Sequence, residues 1–315
     1  MTPLVLQDGR ARAAIAVEFG FNCYEFQAEV DGRVVDVIDT LPGFLEGGRR
    51  PTHSGLPILF PFPNRIRQGR FRWDGVDYTA PVFPERPDAI HGYALDTPWR
   101  VIEQGPRHVV GRWQLSVDAP DRAAAWPADC IIEVRYELEQ AALRSKIRVA
   151  NPDSRPLPWG LGTHTYFKLP LGPEGTYEEC QLFAPAHKQW VLENCLPTGE
   201  LIDVPMEKDL RGGRPIGNSS LDDVYTDVRA TAGAIECVMR DPAAGLEIAQ
   251  LTDPIFRELV VFTPPNRHAV CMEPYTCVTD AINVQQQGMD AGWRVLPPGE
   301  ETTTWIDVVV RKCTG

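Results

Sequence analysis

The sequence predicts an all-β protein, a sandwich of large antiparallel sheets, on three observations. Apolar and polar residues alternate with period two along several segments. Asp-Gly pairs stand between such segments, and 29 prolines and 26 glycines punctuate the 315 residues. Alternation of this period gives a strand one apolar face and one wet face. Asp-Gly accepts the positive φ values of a tight hairpin turn. Proline and glycine at this density interrupt helices, which disfavours a βαβ fold.

Taken in order, Tyr24–Val30 and Val34–Ile38 flank Asp31-Gly32 and read as a hairpin. Residues 71–78, with Asp74-Gly75 at their centre, read as another. Trp113, Leu115 and Val117 alternate with Gln114, Ser116 and Asp118, predicting a strand over 113–117. Ile132, Val134, Tyr136 and Leu138 alternate with Glu133, Arg135 and Glu137, a second half-buried strand. A last extended run covers 302–311, introduced by Pro297-Pro298-Gly299. Helical signals are confined to Asp121–Trp126 and Glu207–Arg211, both too short to stand alone. Trp73, Trp99 and Trp305 lie in strand-like patterns and are expected in the core. The loop 170–178 is the best candidate boundary, but composition does not change across it. One domain over 1–315 is therefore expected.

Composition narrows the functional classes. Acids outnumber bases 43 to 31, for a net charge of −12, which disfavours a nucleic acid or an anionic membrane as partner. No apolar run approaches the ~20 residues of a membrane span. The first twenty residues lack the ordering of a secretory signal, so a cytoplasmic location is expected. Eight cysteines are scattered singly, without Cys-x-x-Cys, so free thiols are expected rather than disulfides or a zinc site. Phosphate-cradling and dinucleotide motifs are missing too. Neither cofactor nor metal is expected. Oligomeric state is not legible.

Chemistry-bearing residues fall in a few segments. Pro57, Pro61 and Pro63 stiffen the run 56–66 and present Asn64 and Arg65 on an edge-lying platform. Those two suit neighbouring hydroxyls, or a turn and an ion pair. His91 follows Pro87-Asp88-Ala-Ile and precedes Gly92, at a bend where backbone can approach a ligand. His164 sits between Gly162 and Tyr166-Phe167, where an imidazole is readily tuned towards neutrality. The alternative is a core histidine bonded to backbone. Glu273 closes the apolar stretch Val270-Cys-Met. A carboxyl buried there either rises in pKa, as a general base needs, or pairs with a cation such as Arg65 or Arg267. Asp222 and Asp223 are turn acids or hydroxyl acceptors. Cys271 reads as a small core residue.

Together these segments resemble the aldose 1-epimerase, or galactose mutarotase-like, family. The matching pieces are Gly55-Leu-Pro-Ile-Leu-Phe-Pro with Asn64-Arg65, then His91-Gly92 with Trp99, and Gly162-Thr-His164-Thr-Tyr-Phe with Leu169-Pro170. Leu221-Asp222-Asp223-Val-Tyr225, Glu273-Pro274 with Asp280 and Asn283, and Leu296-Pro-Pro-Gly-Glu300 follow in the family's order. The resemblance implies a β-supersandwich with an open cleft on a concave sheet, and a small-molecule sugar as substrate. It implies Glu273 as general base, His164 as general acid and His91 assisting. Asn64, Arg65 and Asp222 would hold hydroxyls, with Asp222 preferred to Asp223. The acid and base are expected on opposite sides of one pyranose. His164-Thr165 departs from the family's His-Pro. The absence of Arg after His91-Gly92 favours a free aldose over a hexose 6-phosphate, although Arg65 and Arg67 keep phosphate open. A non-catalytic sugar-binding sandwich is the third reading. An inverting glycosidase would want two opposed carboxylates.

Overall fold

In the computed structural model, which describes residues 2–47, 50–83 and 86–313, almost every regular element is a strand. A nine-stranded antiparallel sheet runs in the order 100–104, 108–114, 131–139, 142–150, 301–312, 246–252, 235–241, 181–183, 214–215. A second sheet runs 196–203, 186–193, 222–228, 258–262, 269–275, 162–163, 58–59, with Tyr166–Lys168 also pairing onto Ala269–Tyr275. A four-stranded meander, 4–7, 11–16, 22–30 and 33–36, packs with them on a shared apolar core. This is the all-β architecture of large antiparallel sheets that the sequence predicts.

Alternation does the work the sequence assigned to it. Ile132, Val134, Tyr136 and Leu138 are all buried along Ile131–Glu139, and the residues between them are not. Their face meets the inner face of the other sheet. At the hairpin tips Asp31 and Gly32, and Asp74 and Gly75, all have positive φ, as a type I′ turn requires. The extended run expected over 302–311 is the strand Glu301–Lys312, placed between Ala142–Ala150 and Leu246–Thr252.

Three local expectations need correction. The strand expected over 113–117 stops at Gln114, and Leu115–Asp118 forms a single helical turn. Asp118 causes the switch: its carboxylate accepts the Gln114 N–H at 2.7 Å and also holds Arg100. Val117 is left half-exposed. The two short helical signals are realised only as 3₁₀ turns, Pro120–Ala125 and Met206–Lys208, and a helix the sequence reading missed occupies Ala281–Gln286. Of the three tryptophans expected inside, only Trp99 is buried. Trp73 packs at the core's margin, and Trp305 takes the half-exposed face of its strand.

Candidate functional site

Glu273 lies on Ala269–Tyr275, a strand buried along its whole length between Glu258–Phe262 and the short pieces Gly162–Thr163 and Tyr166–Lys168. Its side chain is 2 % exposed. His164 falls in the gap between the two short pieces, and its N–H donates to the Pro57 carbonyl at 3.1 Å. Strand pairing thus brings two segments far apart in sequence side by side. Nε2 of His164 stands 3.3 Å from Oε1 of Glu273.

A second pair is built from backbone. His91 and Asn64 both adopt left-handed φ, 65° and 53°. The His91 N–H donates to the Asn64 carbonyl at 2.7 Å, and the Asn64 N–H donates to Nδ1 of His91 at 3.2 Å. An Nδ1 that accepts leaves the proton of the neutral ring on Nε2. Gly92 follows with φ 75°, and a Cβ there would collide with the Phe60 carbonyl. Arg65 donates to Oδ1 of Asn64 at 2.9 Å. Asp280, itself left-handed, pins this platform: its N–H donates to the Arg65 carbonyl (2.8 Å) and its carboxylate accepts the Arg67 N–H (3.0 Å). Arg67 turns towards Asp280 and does not line the cavity.

All six residues singled out from the sequence, Asn64, Arg65, His91, His164, Asp222 and Glu273, line one cavity of about 490 Å³. Asp222 is solvent-accessible at its wall, whereas Asp223 is buried and turned to Lys208 (2.6 Å) and Gln189 (3.0 Å). Glu273 does not pair with Arg267, which binds Glu178 at 3.0 Å. Its Oε2 instead accepts the Tyr275 hydroxyl. The His164 and Glu273 side chains meet on the wall of this cavity. At that separation both can reach one small molecule, as the sequence reading requires.

Electrostatics follow from burial. Desolvation holds the His164 imidazole below its ordinary range and the Glu273 carboxyl well above its own. On Glu273 the Tyr275 hydrogen bond and Arg65 oppose that rise, and Asp222 adds to it. His91 is pushed well down by burial and then by His164, Arg65 and Arg86, which keeps it a neutral donor. Asp222 is raised by the surrounding protein and by Asp223, with Arg65 opposing.

Sequence reasoning missed several residues of the wall. Tyr166 stacks on His164 with ring centroids 4.9 Å apart, and Phe262 meets the same ring edge-on at 6.3 Å. Arg50, Arg86 and Asp96 also line the cavity. Tyr275 carried a signal, since two residues after Glu273 on a strand it shares that residue's face. Among the described residues, His164, Cys271 and Glu273 bring three ligand-type atoms within 4.8 Å of one another. Cys271 does not line the cavity that His164 and Glu273 share.

Comparison with known proteins places the chain in a family. The aldose 1-epimerase family profile matches residues 4–308. The chain belongs to the aldose 1-epimerase family. It is therefore an isomerase of the mutarotase class, with a sugar as its small-molecule substrate. Galactose mutarotase of Rattus norvegicus is 31% identical over 194 residues, covering 58% of this chain and 53% of that protein. In fold, this family member resembles a galactose mutarotase-like protein from Clostridium acetobutylicum (TM-score 0.88, 21% identity, 99% and 95% of the two chains). It also resembles galactose 1-epimerase of Lactobacillus acidophilus (TM-score 0.75, 16% identity, 98% and 94%). No helix among the described residues is long and apolar enough to cross a membrane.

Proposed function

We propose that this chain is a single-domain aldose 1-epimerase that interconverts the α and β anomers of a free aldose such as glucose or galactose, with Glu273 and His164 as the proton-transfer pair. The observation that supports the reading most is the 3.3 Å approach of Nε2 of His164 to Oε1 of Glu273 on the wall of a sugar-sized cavity. Burial disfavours charge on each and so rests the proton they exchange on Glu273; the reacting form has passed it across the 3.3 Å contact to Nε2 of His164, leaving Glu273 ionised. Glu273 takes the proton from the C1 hydroxyl as His164 delivers one to the ring oxygen. The C1–O5 bond breaks, leaving an open-chain aldehyde. Rotation about C1–C2 presents the other face of the carbonyl. On reclosure the C5 hydroxyl gives its proton to His164, and Glu273 returns one to the new C1 oxygen, so the pair is restored. Each such transfer is typically worth about 10²–10⁴ in rate.

In this reading His91 donates through Nε2–H near the ring oxygen, neutral throughout. Asn64, Arg65 and Asp222 hold hydroxyls. The unpaired state of all eight cysteines supports a reducing, cytoplasmic setting. A second reading, hexose-6-phosphate 1-epimerase, draws on Arg50, Arg65 and Arg86, which all line the cavity. Polarimetry of freshly dissolved α-glucose, α-galactose and α-glucose 6-phosphate tests both. Acceleration of the free sugars supports the first, and acceleration of the phosphate alone replaces it with the second. Calorimetric sugar binding without acceleration of any of the three would overturn the catalytic assignment.

A further inference from the structure

We infer that Tyr275 is the positioning residue of the general base: its hydroxyl occupies Oε2 of Glu273 and thereby reserves Oε1 for substrate and His164. The inference rests on the reading of Glu273 as base. Tyr275 and Glu273 are two residues apart on one strand, so their side chains rise from the same face. A phenol has one proton to donate, and here the acceptor is Oε2. The oxygen 3.3 Å from His164 is the other one. Burial first, and the neighbouring carboxylate second, keep the Tyr275 hydroxyl far above its ordinary range, so it stays a donor.

The ring is held from behind as well. Tyr275 is 0 % exposed and pairs with Glu258 on one side and with Gly162 on the other. A Cβ at Gly162 would strike the Tyr275 ring. Gly162 does not have the left-handed φ that calls for glycine on backbone grounds. What requires glycine there is the ring. The segment that carries the acid therefore also clamps the residue that orients the base.

Burying a carboxylate this deeply is costly unless it is hydrogen-bonded, and a donor to a charged acceptor is among the stronger such bonds. Removing the hydroxyl leaves Oε2 without its donor and a carboxyl that holds its proton more tightly. Tyr275→Phe keeps the ring and removes only the donor. Gly162→Ala keeps the donor and displaces the ring. Each variant would be assayed for kcat, KM and pH profile. The Glu273 carboxyl band, identified by its loss in Glu273→Gln, would be titrated by infrared difference spectroscopy, and far-ultraviolet dichroism would check the fold.

Tyr275→Phe is expected to lower kcat by about 10- to 100-fold with little change in KM. The carboxyl titration and the alkaline limb should both move up by about one to two pH units. Gly162→Ala should move both in the same direction, and the double variant should fall no further than the worse single one. An unmoved carboxyl titration in folded Tyr275→Phe, or losses that simply multiply in the double variant, would overturn the role. The infrared titration needs no sugar. If the wild-type enzyme accelerated no aldose, the catalytic reading would fail while the Tyr275–Glu273 linkage was still decided.

Discussion

The imidazole of His164 lies flat on the ring of Tyr166, 4.9 Å between centroids and 5° from parallel, and so presents its Nε2 edge to Oε1 of Glu273. Tyr166 is in turn fixed at its far end, where its hydroxyl donates to the Thr52 carbonyl at 2.6 Å. His164 is thus oriented by stacking, and Glu273 by strand pairing together with the Tyr275 hydroxyl. Neither relies on a flexible side chain, and the remaining freedom is that of a proton.

Glu273→Gln and His164→Asn should each abolish catalysed mutarotation, a loss of at least about 10²-fold by polarimetry. Both substitutions leave a neutral, hydrogen-bonding side chain in a site where burial disfavours charge. The melting temperature should therefore change little. Near-full activity in either folded variant would refute the pair.

Adjacent aspartates should part company. Asp222→Asn removes a charged acceptor from the cavity wall, so KM should rise about tenfold or more at nearly constant kcat. Asp223→Asn breaks a buried contact to Lys208 and should cost stability by urea unfolding while KM holds. The reverse pattern would reassign the ligand.

Stability should depend on pH through Glu258. Burial lifts this carboxyl from 4.5 to about 7 against the hydrogen bonds from Trp190 and Thr226 and the charge of Arg257. A raised folded pKa gives a contribution fully present below about 4.5 and lost as pH climbs through about 7. At 1.36 kcal/mol per unit that loss is up to about 3 kcal/mol. Glu258→Gln should flatten the decline in melting temperature between pH 5 and about 8 relative to wild type. An identical decline in the variant would place its origin elsewhere.

Gly92→Ala should damage fold and catalysis together. Its φ of 75° is unfavourable for alanine, and the added Cβ would push against the Phe60 carbonyl. A loss of at least about 1 kcal/mol in urea unfolding is expected. Activity should drop as well, because the adjoining His91 must shift. Full activity in this variant would show that His91 is not held by its neighbour.

Much of this was legible beforehand. The alternation at Ile132, Val134, Tyr136 and Leu138 and the Asp-Gly turns reported strands because side-chain period and turn φ are local properties. Residues 115–118 misled because the deciding contact, Asp118 to the Gln114 N–H, is invisible to periodicity. Motif order picked out six residues that share one cavity wall, and burial of Glu273 among apolar neighbours was readable from its segment alone. Its partner was not. A raised pKa and an arginine partner were the two readings, and a tyrosine two residues on supplies the donor. Arg50, Arg86 and Asp96 reach the cavity from remote loops that no spacing rule connects to it.

Glu301–Lys312 zips into the middle of the nine-stranded sheet, hydrogen-bonded on both flanks. Every other strand of that sheet is synthesised earlier, so during translation two half-sheets must wait with facing edges unfilled. Completing the sheet requires this strand, and shortening it by a few residues would expose a seam between Ala142–Ala150 and Leu246–Thr252.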